Sequence, residues 1–492
     1  MVPFISLELD RRSTVPLHRQ LYEELRSAVL AGRLSPGARL PSTRSLSTDL
    51  RISRNTAAGA FDQLLAEGYL EGKVGSGTYV ARSLPEDLLY ITDAPSVDSR
   101  HSVPPATLSR RGAVLASTPV SLSRDAATAR AFRPGVPALD AFPRELWARM
   151  ASRILRHSRA EWLSYGHAAG HRPLRQAIAE YLRAARGVTC SAGQVVVTAG
   201  SQQALDLAVR VLLDPGDTAW MEDPGYLGAR GALLAAGVRP VPVKVDSEGL
   251  SVADGETRAP RARMAYVTPS HQYPLGVTMS LSRRMALLDW ARRRQAWIVE
   301  DDYDSEFRYS GRPLAALQGL DTANRVIYTG TFSKVLFPAL RLGYLVAPEA
   351  VVDAFISARA LADRHSPALE QALVAEFLSE GHFARHVRRM RALYAERQDA
   401  LVSAARRELA GLLEVPPAEA GMHLVGWLPK SATDCEVSRR AAAAGVSAPA
   451  VSLYALRPPA RPGLLLGYAA VNGRQIREGV RKLASTMLDL RL

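Results

Sequence analysis

The segment around Lys334 combines an amine with groups that bind phosphate. It is one of only five lysines in the chain, and it follows a short run of strand length among hydroxyl and apolar neighbours. A lysine amine that is partly desolvated beside another cation has a lowered pKa and can attack an aldehyde to form a Schiff base. Thr331, Ser333 and Arg341 offer two hydroxyls and a bidentate cation to a phosphate nearby. The segment therefore predicts covalent binding of an aldehyde at Lys334.

A run of carboxylates ends another predicted strand, in residues 299–304. Carboxylates near a core are costly unless a cation pairs with them, and a protonated pyridine nitrogen would be such a cation. Asp301 would keep that nitrogen charged so that the ring accepts electrons, and the Tyr303 hydroxyl would bond the phenolate oxygen of the same ring. Two alternatives remain open here, a metal-binding acidic cluster and a solvated turn.

A glycine-serine turn upstream offers a place for phosphate. The predicted strand 194–198 runs into this turn and then into a helix predicted over 201–213. Free backbone amides at the start of a helix hold phosphate groups. Gly200, Ser201 and Gln202 are therefore candidate phosphate-binding residues, although such a turn is common by itself.

Strand-length apolar runs alternate with helix-period segments from about residue 128 onward. Such alternation predicts a mainly parallel sheet covered by helices, an α/β domain. The other predicted strands are 263–267, 297–300, 326–328 and 342–346. Long helical patterns follow residue 351, and a small α+β subdomain is expected over about 380–492. The predicted organisation is a small domain over 1–82, a flexible linker over 83–127, and the α/β domain over 128–492.

The first 82 residues predict a helix pair followed by a hairpin. Hydroxyl residues after Pro41 can cap a short helix, and Ser53 can cap a second helix over 54–67. Arg54 and Asn55 project from the first turn of the second helix, and both side chains have the geometry to read bases in the major groove. Residues 69–80 form two strands with a glycine-rich tip, which predicts a wing. For the helix pair alone, a plain structural helical hairpin that does not bind DNA is the alternative.

The order of these motifs resembles the GntR-type winged helix-turn-helix. The motifs are Leu40-Pro41-Ser42-Thr43-Arg44, Ser53-Arg54-Asn55-Thr56 and Gly75-Ser76-Gly77-Thr78-Tyr79-Val80. The resemblance implies phosphate and base contacts with promoter DNA. The residues that receive these roles are Arg44, Ser53, Arg54, Asn55, Thr56 and Gly77. Lys73, near the wing tip, suits a phosphate, and a solvated surface lysine is the equal alternative.

Residues 128–492 resemble fold-type I pyridoxal 5'-phosphate (PLP) enzymes of the aspartate aminotransferase group. The motifs that carry the resemblance are the glycine-serine helix start, Asp223-Pro224-Gly225-Tyr226, Thr268 to Gly276, Asp301, Lys334 and Arg341. The resemblance implies a Schiff base between PLP and Lys334, with Tyr226 stacked on the ring. It also implies that Tyr165 lies in a segment that reaches the cofactor of a partner subunit, in a head-to-tail homodimer.

The run 300–309 and the Thr-Phe-Ser-Lys motif are especially similar to MocR/GabR-type regulators, with PdxR-like members among them. Fusion to a GntR-type domain supports that assignment. The resemblance implies a regulator that senses PLP, or its imine with an amine or amino acid. The genes that it would control serve vitamin B6 or amino-compound metabolism.

Two departures from the enzymes bear on activity. Tyr273, a candidate cofactor-binding residue, stands where the enzymes usually have an asparagine near the phenolate oxygen of the cofactor. Leu465 stands where they usually have an arginine that binds the substrate carboxylate. Another cation would then have to bind a carboxylate. Arg457, Arg461 and Arg230 are candidates, but in so Arg-rich a chain plain surface arginines are the favoured alternative. Efficient transamination is not expected.

Composition sets broad limits. The 492 residues carry a net charge of +14, but residues 1–82 hold 11 Lys and Arg against 8 Asp and Glu, so overall charge supports DNA binding only weakly. The two cysteines, Cys190 and Cys435, lack metal-ligand spacing, and no metal site is predicted. Without a long apolar stretch or a signal-peptide pattern, a cytoplasmic protein with no membrane partner is expected.

Three hypotheses of function follow. The first is a PLP-responsive regulator, and the second is a working aminotransferase with an attached DNA-binding domain. The third is a regulator that binds a small molecule without a cofactor, which predicts no visible imine absorbance in the purified protein.

Overall fold

The computed structural model describes residues 7, 9–73, 75–85, 107–118, 131–157, 162, 164–310 and 315–490. The chain forms two compact units, Met1–Ala106 and Thr107–Leu492. Among the described residues, no helix combines the length and the apolar character needed to cross a membrane.

The described part of the first unit has three helices and an antiparallel hairpin. These are α1 (Leu17–Leu30), α2 (Thr43–Asp49), α3 (Arg54–Ala66), β1 (Leu70–Lys73) and β2 (Gly77–Val80). Leu21, Leu25, Leu46, Phe61 and Leu64 form the centre of its core. The helices begin where the sequence predicts, because the Ser42 and Ser53 side chains accept backbone hydrogen bonds at 3.1 and 3.0 Å.

An eight-stranded sheet organises the second unit. Its strands are β3 (Val195–Thr198), β4 (Thr218–Asp223), β5 (Arg239–Asp246), β6 (Gly249–Leu250), β7 (Met264–Val267), β8 (Trp297–Asp302), β9 (Val326–Thr331) and β10 (Gly343–Val346). They lie in the order β3-β10-β9-β8-β7-β4-β5-β6. The run from β9 to β5 is parallel, whereas β10 is antiparallel to both of its neighbours. The predicted mainly parallel sheet is confirmed, and each predicted strand is present.

Helices cover the sheet and lead to a smaller C-terminal part. In chain order they are α4 (Arg110–Ser117), α5 (Arg144–Arg156), α6 (Arg172–Arg186), α7 (Ser201–Leu212), α8 (Leu227–Ala235), α9 (Val252–Arg258), α10 (Leu281–Arg294), α11 (Glu349–Asp363), α12 (Ala368–Ser379), α13 (His382–Glu408), α14 (Asp434–Ala443) and α15 (Gly473–Asp489). The C-terminal part also contains an antiparallel pair, β11 (His423–Trp427) and β12 (Gly463–Gly467). Buried apolar residues lie on both faces of the sheet.

Helix α4 lies within the predicted linker, where the sequence showed no sustained period. Ser109 caps it by accepting from the Gly112 N–H at 3.0 Å, and the Arg111 side chain donates to the Ala235 carbonyl at the end of α8. The helix therefore packs on the second unit. The helix has only eight residues and none of them is buried, so it is too short to give a sustained apolar period.

Candidate functional site

A cavity of about 470 Å³ lies in the second unit, a volume within the range of small-molecule sites. Residues at the ends of β7 and β8 form its floor. The wall combines the predicted amine and carboxylate with residues distant in sequence, and its members are Arg133, Pro134, Gly135, Val136, Ser201, Tyr226, Tyr266, Thr268, Tyr273, Asp301, Tyr303, Lys334, Pro338, Met422, His423, Ser447 and Pro449. Six of the predicted cofactor residues therefore meet in one place.

The Lys334 amine lies on the cavity wall, partly buried. Its Nζ donates to the Gly135 carbonyl at 2.8 Å. Burial lowers the pKa of this amine below its ordinary value, against the opposing charges of Asp304 and Asp301. The neutral, nucleophilic form of the amine is thus more accessible than for an exposed lysine.

Asp301 is a buried carboxylate that faces the cavity at the end of β8. It accepts from the Tyr266 hydroxyl at 2.8 Å and from the Thr329 hydroxyl at 3.3 Å. Burial raises its pKa to about 6. A cation in the cavity would favour the ionised form, because an opposite charge offsets the cost of desolvation.

The other carboxylates of this run have separate partners. Glu300 accepts from the backbone N–H groups of Leu317 and Gln318 at 2.7 and 2.8 Å. Asp302 forms a buried ion pair with Arg186 at 2.8 Å. Successive side chains of a strand point to opposite faces, so β8 sends Asp301 to the cavity and its two neighbours away from it.

The start of α7 offers backbone amides to an anion. Gly200 occupies the N-cap with φ 118°, and no side chain caps the helix. A Cβ atom at Gly200 would lie 3.4 Å from Nη2 of Arg341, so a guanidinium lies close to the uncapped amides. The Gln202 side chain is turned away and donates to the Gly228 carbonyl at 2.9 Å. Gln202 can therefore offer a ligand at the start of α7 its backbone N–H but not its side-chain amide.

Thr331 and Ser333, the two predicted phosphate hydroxyls, do not line the cavity. The Thr331 hydroxyl oxygen accepts from the Ser333 backbone N–H at 3.1 Å. This bond holds the turn between β9 and Lys334. Thr331 and Thr198, which precedes the start of α7, both pair with Gly343 of β10, so the turn after β9 lies at the same end of the sheet as the α7 start.

Four tyrosines line the cavity, and three of them pack against one another. The Tyr273 ring meets the rings of Tyr226 and Tyr303 edge to face, with centroids 5.9 and 5.8 Å apart. Burial raises the pKa of Tyr226 to about 12, so its hydroxyl stays protonated at neutral pH. The wall thus offers flat apolar surfaces together with hydroxyl groups.

His271 joins this site although the sequence analysis gave it no role. Its Nδ1 lies 2.9 Å from the Tyr303 hydroxyl and 3.0 Å from Oδ2 of Asp304. Its position between Ser270 and Gln272 in a loop gives no local signal. The sequence therefore could not show that it would contact residues some thirty positions later.

One cluster of potential metal ligands occurs at the same place. His271, Asp304 and His423 each bring one ligand atom to within 4.8 Å of the others. Burial lowers the pKa of His423 to about 3, and its Nε2–H donates to the Pro274 carbonyl at 3.0 Å. His271 Nδ1, Asp304 Oδ2 and His423 Nε2 have hydrogen-bond partners within the protein, whereas the buried Nε2 of His271 has none among the residues that the structure describes. The expectation of no metal stays a prediction.

The three arginines proposed for a carboxylate lie outside the cavity wall. Arg457 lies 3.4 Å from a carboxylate of β4, and Arg461 lies 2.7 Å from a surface glutamate. Arg230 lies on α8. The wall instead contains Arg133, from a Pro-Gly segment whose only sequence signal was that of a loop.

Leu465 is fully buried in β12. It packs with Leu227, Val425, Val451 and Tyr454 in a small apolar cluster. Position 465, where the resemblance implies an arginine in the enzymes, is thus part of the core and offers no charge.

Tyr165 lies apart from its own cavity and is 80% exposed. The Arg364 guanidinium lies 5.1 Å from the centre of its ring, and the adjacent Gly166 N–H donates to His365 at 3.0 Å. An exposed aromatic side chain held in this way is available to another molecule.

The first turn of α3 presents polar side chains to solvent. Arg54 and Asn55 are exposed, as are Ser53 and Arg44. The Thr56 hydroxyl already forms a hydrogen bond with the Ser53 hydroxyl, at 2.7 Å. The opposite face of α3 is buried through Ala57, Ala60, Phe61 and Leu64. The predicted groove-facing residues are therefore on the free face.

The turn between α2 and α3 has a defined conformation. Arg51 adopts a left-handed backbone conformation with φ 52°, which is uncommon for a residue with a Cβ atom. The Arg11 guanidinium donates to its carbonyl at 2.6 Å. This bond fixes the angle at which α3 leaves the turn.

Two basic residues, one in the wing and one before α2, lie near the wing tip. The Lys73 amine lies 5.1 Å from the Tyr79 ring centre. Gly77 has φ 115°, and a Cβ atom there would lie 3.1 Å from Nε of Arg39. Arg39, which the sequence analysis did not name, thus lies beside the glycine expected to approach DNA.

The cavity residues fit PLP. A partly buried amine, a buried carboxylate facing the cavity, aromatic walls and an uncapped helix start beside a guanidinium match its aldehyde, pyridine nitrogen, ring and phosphate. No side chain blocks the α7 start, because position 200 is a glycine. The donor set is that of a PLP site.

Two family models match the chain. Residues 17–80 match "Bacterial regulatory proteins, gntR family", and residues 138–483 match "Aminotransferase class I and II". Together they cover the winged-helix elements and nearly all of the second unit.

Similar proteins combine the same two parts. The chain is 47% identical to the probable rhizopine catabolism regulatory protein MocR of Rhizobium meliloti, over 98% of this chain and 96% of that protein. It is 33% identical to the pyridoxine biosynthesis regulator PdxR of Corynebacterium glutamicum, over 86% of each chain.

Solved structures resemble the second unit. The α-aminoadipate aminotransferase LysN of Thermus thermophilus, complexed with N-(5'-phosphopyridoxyl)-L-leucine, is 33% identical with a TM-score of 0.71. The match covers 77% of this chain and 97% of LysN.

Proposed function

The chain belongs to the MocR-type transcription regulators, which join a gntR-family DNA-binding domain to an aminotransferase class I and II domain, and on this basis we propose that PLP in its cavity, alone or joined to an amino compound, sets its affinity for promoter DNA. A ligand changes that affinity only if it binds the two arrangements of the DNA-binding domains unequally. The amino compound and the genes controlled are part of the proposal.

The cofactor of this domain is PLP, as the fold-type I relatives support. We assign its covalent attachment to Lys334 and the contact with its pyridine nitrogen to Asp301. Tyr226 would stack on the ring, and Tyr303 would bond the phenolate oxygen. When bound, PLP supplies an electrophilic carbonyl carbon and a ring that accepts electrons.

The phosphate would lie at the start of α7. The backbone N–H groups of Ser201 and Gln202 are free of a side-chain cap, and Gly200 leaves room for the approach. Arg341 adds a bidentate cation beside them. Thr331 and Ser333 stay candidates for the remaining oxygens.

Leu465 carries the preference for sensing over turnover. Where the enzymes usually have an arginine for the substrate carboxylate, this chain has a leucine buried in an apolar cluster. An amino substrate would therefore lack, at this position, the charged contact that the enzymes use. The alternative, a working aminotransferase, predicts steady consumption of an amino donor and a keto acid.

A homodimer is the proposed assembly. Tyr165 is exposed and held by its neighbours at a distance from its own cavity, which supports a role at the cofactor of a second subunit. A dimer would also present two winged domains to DNA, as a site with two half-sites requires. We place the protein in the cytoplasm, where promoter DNA is, and expect size-exclusion chromatography to give a mass of two chains.

A gel-shift experiment tests the proposed function. The probe is the DNA upstream of the gene for this protein, with and without PLP and a panel of amino acids. We expect PLP or an amino acid to change the apparent Kd, and we expect this change to be lost in Lys334→Ala. DNA binding that is indifferent to PLP and to every amino acid would reject the proposal.

A further inference from the structure

Arg133 brings an available positive charge to the cavity wall. It lines the same cavity as Lys334 and Asp301. In the part of the chain that the structure describes, its guanidinium has no hydrogen bond or ion pair. A guanidinium stays charged in proteins and carries five N–H donors. An anion in the cavity would therefore find an unoccupied bidentate partner.

Phe132, which precedes Arg133, has an unfavourable backbone conformation that contacts with the rest of the domain stabilise. Phe132 is fully buried and has φ 68°, a left-handed conformation that is an outlier for a bulky residue. Its carbonyl accepts from the Gly467 N–H at 2.9 Å, and the Ala131 carbonyl accepts from the Ser447 N–H at 2.9 Å. Strained residues persist where the surroundings fix them, and they cluster at ligand sites.

Close packing against Gly467 also restricts this segment. A Cβ atom at Gly467 would lie 2.3 Å from the Arg133 carbonyl oxygen, so β12 and this segment approach as closely as a glycine permits. Contacts with the C-terminal part of the domain thus fix the backbone from which the Arg133 side chain extends.

The same segment holds the reactive amine. Lys334 Nζ donates to the Gly135 carbonyl at 2.8 Å, two residues from Arg133. The charge of Arg133 also acts on that amine, and with burial it lowers the Lys334 pKa. The guanidinium and the amine therefore lie within electrostatic reach of one another.

We propose that Arg133 binds the carboxylate of an amino-acid effector whose amine reaches the cofactor beside Lys334. The proposal rests on the proposed function and names the ligand class as amino acids, as opposed to simple amines. The phosphate of PLP has a separate site at Gly200 and Arg341, which leaves Arg133 for the effector. Arg133 would thus bind the effector carboxylate, which the uncharged Leu465 cannot do.

The test compares matched probes on the PLP-loaded, full-length protein. L-Alanine and β-alanine carry a carboxylate at two distances from the amine, and ethylamine has none. Each is titrated while the visible absorbance of bound PLP is followed. We expect at least one amino acid to bind about tenfold or more tightly than ethylamine, since a charge-assisted bidentate pair is lost without the carboxylate.

The variants assign that preference to Arg133. We expect Arg133→Gln to bind the amino acids as weakly as ethylamine, and Arg133→Lys to keep part of the preference because it retains a point charge. Arg407→Gln, at an exposed arginine of α13 that pairs with Glu408, is the control and should behave as the unchanged protein.

The outcomes separate this inference from the proposed function. If the unchanged protein prefers no amino acid over ethylamine, or if Arg133→Gln keeps the preference, the inference is wrong while PLP-dependent DNA binding can still hold. If Arg133→Gln loses PLP itself, the arginine is a cofactor residue, and the inference is also wrong.

Discussion

The imidazole of His271 lies between Tyr303 and Asp304, with Nδ1 2.9 Å from the Tyr303 hydroxyl oxygen. When Asp304 is ionised it can only accept, so Nδ1 must carry the hydrogen. The Tyr303 oxygen then accepts from the same N–H, and its own hydrogen is free to point into the cavity. This arrangement makes His271 a positioning residue for the hydroxyl that would bond the phenolate oxygen of PLP.

Removal of that imidazole should change the titration of bound PLP. In His271→Phe, the Tyr303 hydroxyl can donate to the Asp304 carboxylate, so the phenolate oxygen loses a donor. We expect the visible absorbance of the loaded protein to titrate at a higher pH, by about one unit for a lost bond of about 1.4 kcal/mol. His271→Asn places an amide N–H near the position of Nδ1 and should restore the original titration. Identical titration curves for all three proteins would contradict the positioning role.

Lys334→Ala should abolish covalent attachment of PLP. No other lysine lines the cavity among the residues that the structure describes, so no other amine can replace it. The measurement is the intact mass after incubation with PLP and reduction with borohydride, which should lack the added mass of the cofactor. Lys334→Arg keeps the charge without a reactive amine and should behave in the same way. Full labelling of either variant would show that another residue holds PLP.

Asp301 should make the cofactor-free protein less stable as the pH rises. Burial raises the pKa of Asp301 in the folded protein from the ordinary 3.8 to about 6, so the folded state binds more protons than the unfolded state between these values. Stability from this group is present below pH 3.8 and is lost as the pH rises towards 6. Asp301→Asn should remove that loss, which is on the order of 2 to 3 kcal/mol.

Urea unfolding of the cofactor-free protein at pH 5 and pH 8 measures this effect. Asp301→Asn should gain stability relative to the unchanged protein at pH 8 and gain less at pH 5. Asp353→Asn, at an exposed position on α11, is the control and should show no such difference. An equal effect of Asp301→Asn at both values would mean that the carboxylate does not titrate in this range.

Arg54 and Asn55 should contribute to base recognition. Both are exposed on the first turn of α3, whose other face is buried in the core. Replacement of either by alanine should weaken promoter binding by about 1 to 3 kcal/mol and relax sequence preference, whereas Arg44→Ala should weaken binding to all sequences and reduce the salt dependence.

Fluorescence anisotropy with promoter DNA and with a scrambled duplex separates these effects. The visible absorbance of bound PLP should be unchanged in all three variants, since the residues lie in the first unit. Arg33→Ala, at an exposed position after α1, is the control. If Arg54→Ala and Asn55→Ala bind promoter DNA normally, these residues do not read bases.

The sequence by itself determined the features that depend on neighbours within a few residues. The caps at Ser42 and Ser53, the strand that begins at Trp297, and the glycine before α7 were all predicted correctly, because capping, alternation and backbone freedom act over one to four positions. The order of the motifs then indicated both domains and the cofactor.

Only the tertiary structure decided which distant residues complete the cavity. Arg133 comes from a loop, and it is held by β12 more than three hundred positions away. His271 contacts Tyr303 through the packing of two loops, and Leu465 lies in a core cluster that leaves no room for a charge. These contacts depend on how strands and loops pack after the chain has folded, and no periodicity or spacing in the sequence records that packing. The physical reason is that the hydrophobic pattern specifies which face of an element is buried, but not which distant side chain will lie opposite it.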